Sequence, residues 1–369
     1  MDKPKRRWGT LAVTLILLAV GVVLTVPAQE ERPGSHTAVS AAAVLEVPRP
    51  GRLTEAADAV GDCVIPLGRT VGIKLFSDGV LVVGLTDIQA EAGVISPARD
   101  MGLKAGDVIT HINDRDVDTI EQVQSVIQSL AGHTMSLRVT RGDKQLQLSG
   151  AAACSRQGRY QLGAWIRDSM AGIGTMTFYD PRSDTFAALG HGINDVDTAQ
   201  LMTMESGSIM HSTVTDVKKG LSGAPGELHG SFDLEKDMGQ LYANTRAGIF
   251  GTLGDESILG AAQPIEIAHR SQVKTGKATI LSNIAGDRVE EYEVEIIYVY
   301  PNVEGELRNL MIKVTDPELL EQTGGIVQGM SGSPIIQEGK LVGAVTHVLV
   351  NDPTRGYGIF IENMLEAAN

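Results

Sequence analysis

The sequence predicts a mainly β protein: an apolar N-terminal segment, a smaller region that mixes strands with one helix, then a larger all-strand region. Three observations carry this. Aromatic residues are only 4% of the 369 while glycine contributes 42, a composition suited to short strands joined by tight turns. Apolar residues come in short runs, and Tyr292, Val294 and Ile296 alternate with Glu291, Glu293 and Glu295, the period of a half-buried strand. The clearest helical period is confined to residues 119–130, where Ile120, Val123, Val126, Ile127 and Leu130 share one face. Many strands with no long helical period in the last region predict a closed architecture there, a double β-barrel.

The first 29 residues read as a membrane segment. Lys3, Lys5, Arg6 and Arg7 precede an uncharged run from Trp8 to Gln29, and a basic flank before an apolar run keeps its basic end in the cytoplasm. The run from Trp8 to Val26 has the roughly 20-residue length of a transmembrane helix, beyond the roughly 7–15 residues of a secretory signal core. Length thus favours an uncleaved anchor, although Val26 and Ala28 offer small residues for a cleavage site. Everything after residue 30 is then extracytoplasmic. Residues 30–57, with Pro33, Pro48 and Pro50 and a short helical stretch at 37–45, form an exposed linker open to proteolysis.

A formal net charge of -14 excludes nucleic acid as a main partner, since such partners need concentrated basic surface. No CxxC, HExxH or acidic calcium loop appears, so neither a metal nor a cofactor is expected. Cys63 and Cys154 bracket the smaller folded region in a compartment where a disulfide survives; a bridge and two separate thiols are both open.

Residues 58–150 form that smaller domain. Strands are expected at 71–75, 80–83 and 108–112, a turn at 100–106, the helix at 119–130 capped by Thr119 or Asp118, and a hairpin across Arg141-Gly142-Asp143. The run SPARDMGLKAGDVITHIN, residues 96–113, resembles the central segment of PDZ domains, and PLGRTVGI, residues 66–73, is similar to their carboxylate-binding loop and adjacent strand. The resemblance implies a peptide ligand. Amides around Leu67 and Gly68 would hold a terminal carboxylate, and the edge at Val71, Gly72 and Ile73 would take a peptide strand, with the helix as the other wall.

Residues 160–369 carry the candidate chemistry. The stretch Gly329 to Pro334 reads GMSGSP. A serine hydroxyl needs a base and oxyanion donors to act as a nucleophile, and small residues on both sides expose Ser331 and aim the amides of Gly329 and Ser331 into one space. The order Gly-x-Ser-Gly-x-Pro resembles the nucleophile loop of chymotrypsin-like serine proteases, which makes Ser331 the nucleophile. Met330 stands where trypsin-type zymogens carry the aspartate that pairs with a new N-terminus, so that activation switch is excluded. His191, in ALGHGI, sits at a glycine-flanked strand end and is a candidate general base. His211, His229 and His269 lack that setting, and His347, on the strand after Ser331, suits a role in specificity. Asp195, Asp197 and Asp216 are local competitors for the acid that orients such a base, each more simply a solvated turn charge.

LGAWIRDSMAGIGTMTFYDP from Leu162, FAALGHGINDVDT from Phe186, and GMSGSP resemble the SpoIVB peptidases, the stage IV sporulation protein B family. Anchor, PDZ domain and peptidase domain follow in the same order. HtrA-type proteases have the last two reversed. The resemblance implies His191 as base, Ser331 as nucleophile and Asp316, in VTDPELL, as the acid. It further implies self-cleavage in the linker and residence at the forespore inner membrane, facing the intermembrane space. Its substrate there is a membrane-bound regulator of an intramembrane metalloprotease, whose release lets a pro-sigma factor be processed. Two rivals are a PDZ adaptor with a degenerate protease domain and an HtrA-like envelope quality-control protease.

Overall fold

A computed structural model describes residues 63–300 and 307–368. The expected membrane segment and linker, residues 1–57, lie outside them. Among the described residues no helix is long and apolar enough to cross a membrane.

Two β-barrels form the larger region. In the first, Ala164–Asp180 pairs with Thr185–Ala188, and the ring continues through Gly248–Leu253, Glu227–Thr245 and Ser206–Lys218 to Thr70–Leu85. Thr70–Leu85 then returns to Ala164–Asp180, which closes six strands. The second is a closed barrel of Gly276–Ala285, Arg288–Val299, Leu310–Val314, Asp352–Phe360, Lys340–Leu349 and Pro334–Gln337. The Glu291 to Ile296 alternation lies in its strand Arg288–Val299, with Tyr292, Val294 and Ile296 buried in the barrel core and the glutamates outward.

The smaller domain is built from the Ile88–Ala90 and Gly93–Ile95 hairpin, the short helix Pro97–Met101, strands Val108–Ile112, Thr134–Arg141 and Lys144–Ala151, and the helix Ile120–Leu130. Thr119 caps that helix: its side chain accepts from the Gln122 N–H at 3.2 Å while Gln122 reaches back to the Thr119 N–H. This reciprocal capping box satisfies two donors that a helix start otherwise leaves orphaned. Val123 and Ile127 bury the apolar face against Val80, Val82, Ile109 and Leu137.

One element departs from expectation and reorganises the domain boundary. The predicted strands at 71–75 and 80–83 are a single strand, Thr70–Leu85, shared by both regions. Its first half is built into the first barrel, with Val71, Gly72 and Ile73 paired to Gly174, Ile173 and Gly172 on one side and to His211, Met210 and Ile209 on the other. Only its second half, through Val80 and Leu81, joins the Val108–Ile112 strand of the smaller domain.

The peptide groove expected at Leu67, Gly68, Val71, Gly72 and Ile73 is therefore not there. A strand paired on both edges has no backbone groups left for a third chain. The two amides expected to hold a carboxylate are spent as well: Leu67 donates to the Thr177 carbonyl at 3.1 Å and Gly68 to that of Met176 at 2.9 Å. Gly68 is a glycine for another reason, since at φ +64° an added Cβ would stand 2.6 Å from Leu281 Cβ. Cys63 lies in a strand paired to Tyr179's strand and Cys154 in a hairpin with Tyr160, and no disulfide joins them.

Candidate active site

Ser331 and His191 arrive from different barrels. Ser331 lies just before the strand Pro334–Gln337 of the second barrel, and His191 follows the strand Thr185–Ala188 of the first. Both line one cleft of about 160 Å³, together with Ile173, Thr346, His347 and Ile73. Ile73, expected in the peptide groove, is thus a wall of the cleft. Among the described residues no aspartate, glutamate, lysine or arginine lines it.

Backbone contacts shape the serine loop. Gly329 and Gly332 both adopt φ +98°, in the left-handed region where a side chain is disfavoured. At Gly332 the packing is also closed: an added Cβ would lie 2.0 Å from the Thr175 carbonyl oxygen and 2.6 Å from the Leu189 nitrogen. Thr175 ties the loop to the first barrel, its N–H donating to the Ser331 carbonyl at 3.0 Å and its hydroxyl to the Gly329 carbonyl at 2.7 Å. Met330 is fully buried in the second barrel's core, so the position fills space and carries no charge switch. Ser333 is buried too, its hydroxyl donating to Ser282 at 3.2 Å. The N–H groups of Gly329 and Ser331 donate to no backbone carbonyl among the described residues, while those of Met330, Gly332 and Ser333 all do. These are the two donors that an oxyanion site on this loop would use.

His191 is aimed by the turn before it. Leu189 and Gly190 take φ +71° and +67°, an uncommon conformation for leucine, held by its buried side chain and by its N–H bond to the Thr175 carbonyl at 3.1 Å. The Nδ1 of His191 lies 2.9 Å from the Gly192 carbonyl. A carbonyl only accepts, so Nδ1 carries the proton and Nε2 keeps a lone pair, the tautomer a general base requires. Burial pushes the imidazole below its ordinary value, opposed by the bond to Gly192. The ring stays neutral and basic at neutral pH. His347 stands beside it, ring centroids 5.1 Å apart, its Nδ1 buried without a partner. Burial first, then the neighbouring His191 and Arg308, push His347 down to about 3.

Asp316, the expected acid, is not brought to this cleft. It is the N-cap of the helix Pro317–Thr323, its carboxylate accepting from the Leu319 N–H at 2.9 Å and the Glu293 N–H at 3.3 Å. The helix takes it for a physical reason: Asp-Pro at a helix start supplies a capping oxygen and a residue whose missing N–H costs nothing there. The contact that fixes the imidazole tautomer comes instead from the Gly192 carbonyl.

Asp195 also differs from its reading as a solvated turn charge. It is fully buried, paired with Arg167, and accepts from the N–H groups of Asp197 and Thr198 at 3.0 and 2.9 Å. It locks the loop that follows His191. The Asp-Val-Asp-Thr spacing was the available signal, since an aspartate followed three residues later by threonine folds back on its own backbone.

Comparison with known proteins places these features in a lineage. The family model described as SpoIVB peptidase S55 matches residues 158–365, and a PDZ domain model matches residues 92–141. No curated protein matches the chain. Among solved structures, the PDZ domain of the SdrC-like protein of Listeria monocytogenes is 26% identical over 24% of this chain and 87% of its own, with a TM-score of 0.20. The active form of the Rv3671c protease of M. tuberculosis is 16% identical over 54% of this chain and 73% of its own, at 0.30. The HtrA-type protease AlgW with a decapeptide is 11% identical over 62% and 54%, at 0.31. The family model spans more than half of the sequence and includes both His191 and Ser331, and on that match the chain belongs to the SpoIVB peptidase S55 family, with a PDZ domain in front of its serine peptidase domain.

Proposed function

We propose that the chain is a membrane-tethered, self-processing serine endopeptidase of sporulation, which cuts a membrane-bound regulator and so triggers intramembrane processing of a pro-sigma factor. The observation that carries the peptidase chemistry is the shared cleft, lined by a glycine-framed Ser331 from one barrel and, from the other, by His191 with its Nδ1 on the Gly192 carbonyl. Family membership, the basic-then-apolar N-terminus and the proline-rich linker support the setting and the self-cleavage.

The reaction follows from the side chains present. Ser331 Oγ attacks the peptide carbonyl carbon as its proton passes to His191 Nε2, and the carbonyl π electrons move onto the oxygen. The N–H groups of Gly329 and Ser331 hold that oxyanion. Collapse expels the amine, which takes the proton from His191. Water then repeats the sequence on the acyl-enzyme and returns Ser331. The Gly192 carbonyl keeps Nδ1–H in place throughout, the orienting part of what an acid does in a triad.

The experiment compares residues 30–369 with the Ser331→Ala variant on a gel over time, with N-terminal sequencing of the fragments. Linker-trimmed fragments from the unmodified chain alone support self-processing by Ser331. Identical trimming in both chains removes it and leaves the adaptor as the reading to pursue.

A further inference from the structure

The strand Ala164–Asp180 runs from the PDZ domain into the catalytic cleft without interruption. One edge is covered along its length: Ala164 to Arg167 pair with Leu85 to Leu81, and Ser169 to Thr175 with Phe76 to Thr70. The opposite edge acquires a strand only from Met176 onward, where Thr185–Ala188 begins to pair. At Thr175 the groups on that opposite edge are spent on the nucleophile loop and its neighbour, the N–H on the Ser331 carbonyl and the carbonyl on the Leu189 N–H. Ala171 and Ile173 are in phase with Thr175 in a stretch without a bulge, so their N–H and C=O groups turn to the same edge. Among the described residues nothing bonds them there. Both also line the cleft.

The far end of this open edge is framed by the helix Ile120–Leu130. The Ile120 N–H donates to the Asp168 carboxylate at 2.9 Å, and Gln128 near the other end of the helix donates to the Tyr160 carbonyl at 2.7 Å. Helix and strand therefore lie alongside each other over residues 160–168. Leu162 and Gly163 lead into the strand, their carbonyls fixed by the N–H groups of Ala98 and Thr86, both at 2.8 Å. Neither of their own N–H groups donates to a backbone carbonyl among the described residues. Gly163 takes φ +77°, the left-handed conformation found in backbone turns whose amides bind anions.

We propose that this edge is a ruler: a protein substrate lays its C-terminal segment along it, antiparallel, with its terminal carboxylate on the amides of Leu162 and Gly163, and is cut roughly a dozen residues before that terminus. An antiparallel segment advances one residue for each residue of the strand, and Gly163 and Thr175 mark the two ends. Direction agrees with the chemistry, since the part of the substrate beyond the scissile bond runs away from Ser331 toward the PDZ domain. The inference rests on the peptidase reading and adds to it a substrate class, chains with a free, extended C-terminus at a set distance. Anchoring at one end makes cleft entry intramolecular, an advantage on the order of a hundredfold when the spacing fits and none when the segment is too short to span.

The test uses the full chain. A peptide from a casein digest that is cut by the wild type and left intact by Ser331→Ala is resynthesised with roughly 4, 8, 12, 16 and 20 residues after the scissile bond, each as free acid and as C-terminal amide. The expected result is a sharp rise in kcat/KM near a dozen residues, on the order of a hundredfold over the shortest peptide and largely lost in the amide. Equal rates at all lengths, or no difference between acid and amide, overturn the ruler and leave the peptidase standing. Absence of any peptide cut by the wild type alone overturns both.

Discussion

The hydroxyl of Ser331 donates to the carbonyl of Thr346 at 2.8 Å. That bond holds the hydroxyl on the strand that carries His347, so in the proposed reaction attack begins with a turn of the serine side chain toward His191 Nε2. Until that turn the hydroxyl is satisfied and inert, a resting arrangement consistent with catalytic hydrogen bonds that form only with substrate in place.

The pH dependence follows from His191. The base works only when neutral, so activity is present above its pKa and lost as pH falls through it. Burial sets that pKa below the ordinary 6.5, and the acid limb of kcat/KM is expected to have its midpoint below that value. His347, already neutral throughout this range, is the other titratable wall of the cleft. His347→Gln is expected to leave the midpoint in place and to act on KM. A pH profile of both proteins checks this, and a midpoint above 6.5 contradicts it.

Asp316 separates two accounts of one residue. As a helix cap, Asp316→Ala is expected to cost about 1 kcal/mol in denaturant unfolding, while Asp316→Asn keeps a capping oxygen and most of both stability and rate. As the acid of a triad, the same Asn variant loses about 10⁴ in kcat with unchanged stability. Chemical denaturation and kinetics on the two variants decide.

At Gly332 the backbone angle and the contact with Thr175 act together. Gly332→Ala is expected to destabilise the fold on the order of 3 kcal/mol and to abolish peptidase activity, because the serine loop moves away from the first barrel. Thermal unfolding and a peptide assay read both effects.

Asp195 tests the loop after the base. Removing its carboxylate by Asp195→Ala leaves the amides of Asp197 and Thr198 without their acceptor and Arg167 with Asp197 alone, at a cost of about 3 kcal/mol. A stability loss near zero means that the pair does not hold His191's loop.

The parts of this account that were legible in the sequence are local ones. Ser331 and His191 declare themselves because glycines next to them fix backbone conformation within a few residues, as do the Thr119 cap and the Glu291 to Ile296 alternation. The peptide groove was not legible at Val71 to Ile73, because those residues look like any exposed-edge strand until His211 and Gly172 arrive from more than 90 residues away to cover both edges. The strand Thr70–Leu85 is read as two because Ser77-Asp78-Gly79 interrupts its apolar runs, yet Gly79 takes φ +83° where an added Cβ would stand 2.9 Å from the Ile109 carbonyl oxygen, and the chain runs on. Asp316 differs for the opposite reason: a purely local capping role, written in Asp-Pro, competes with the distant catalytic one that the family resemblance implied.

The most direct measurement is labelling of the full chain with a fluorophosphonate, followed by mass spectrometry of its peptides. An activated Ser331 is expected to take the label stoichiometrically on the peptide that contains GMSGSP, with the rate falling below detection in His191→Ala and no label in Ser331→Ala. Failure of the wild-type chain to react, or equal labelling of the Ser331→Ala variant, contradicts the assignment of Ser331 as the nucleophile.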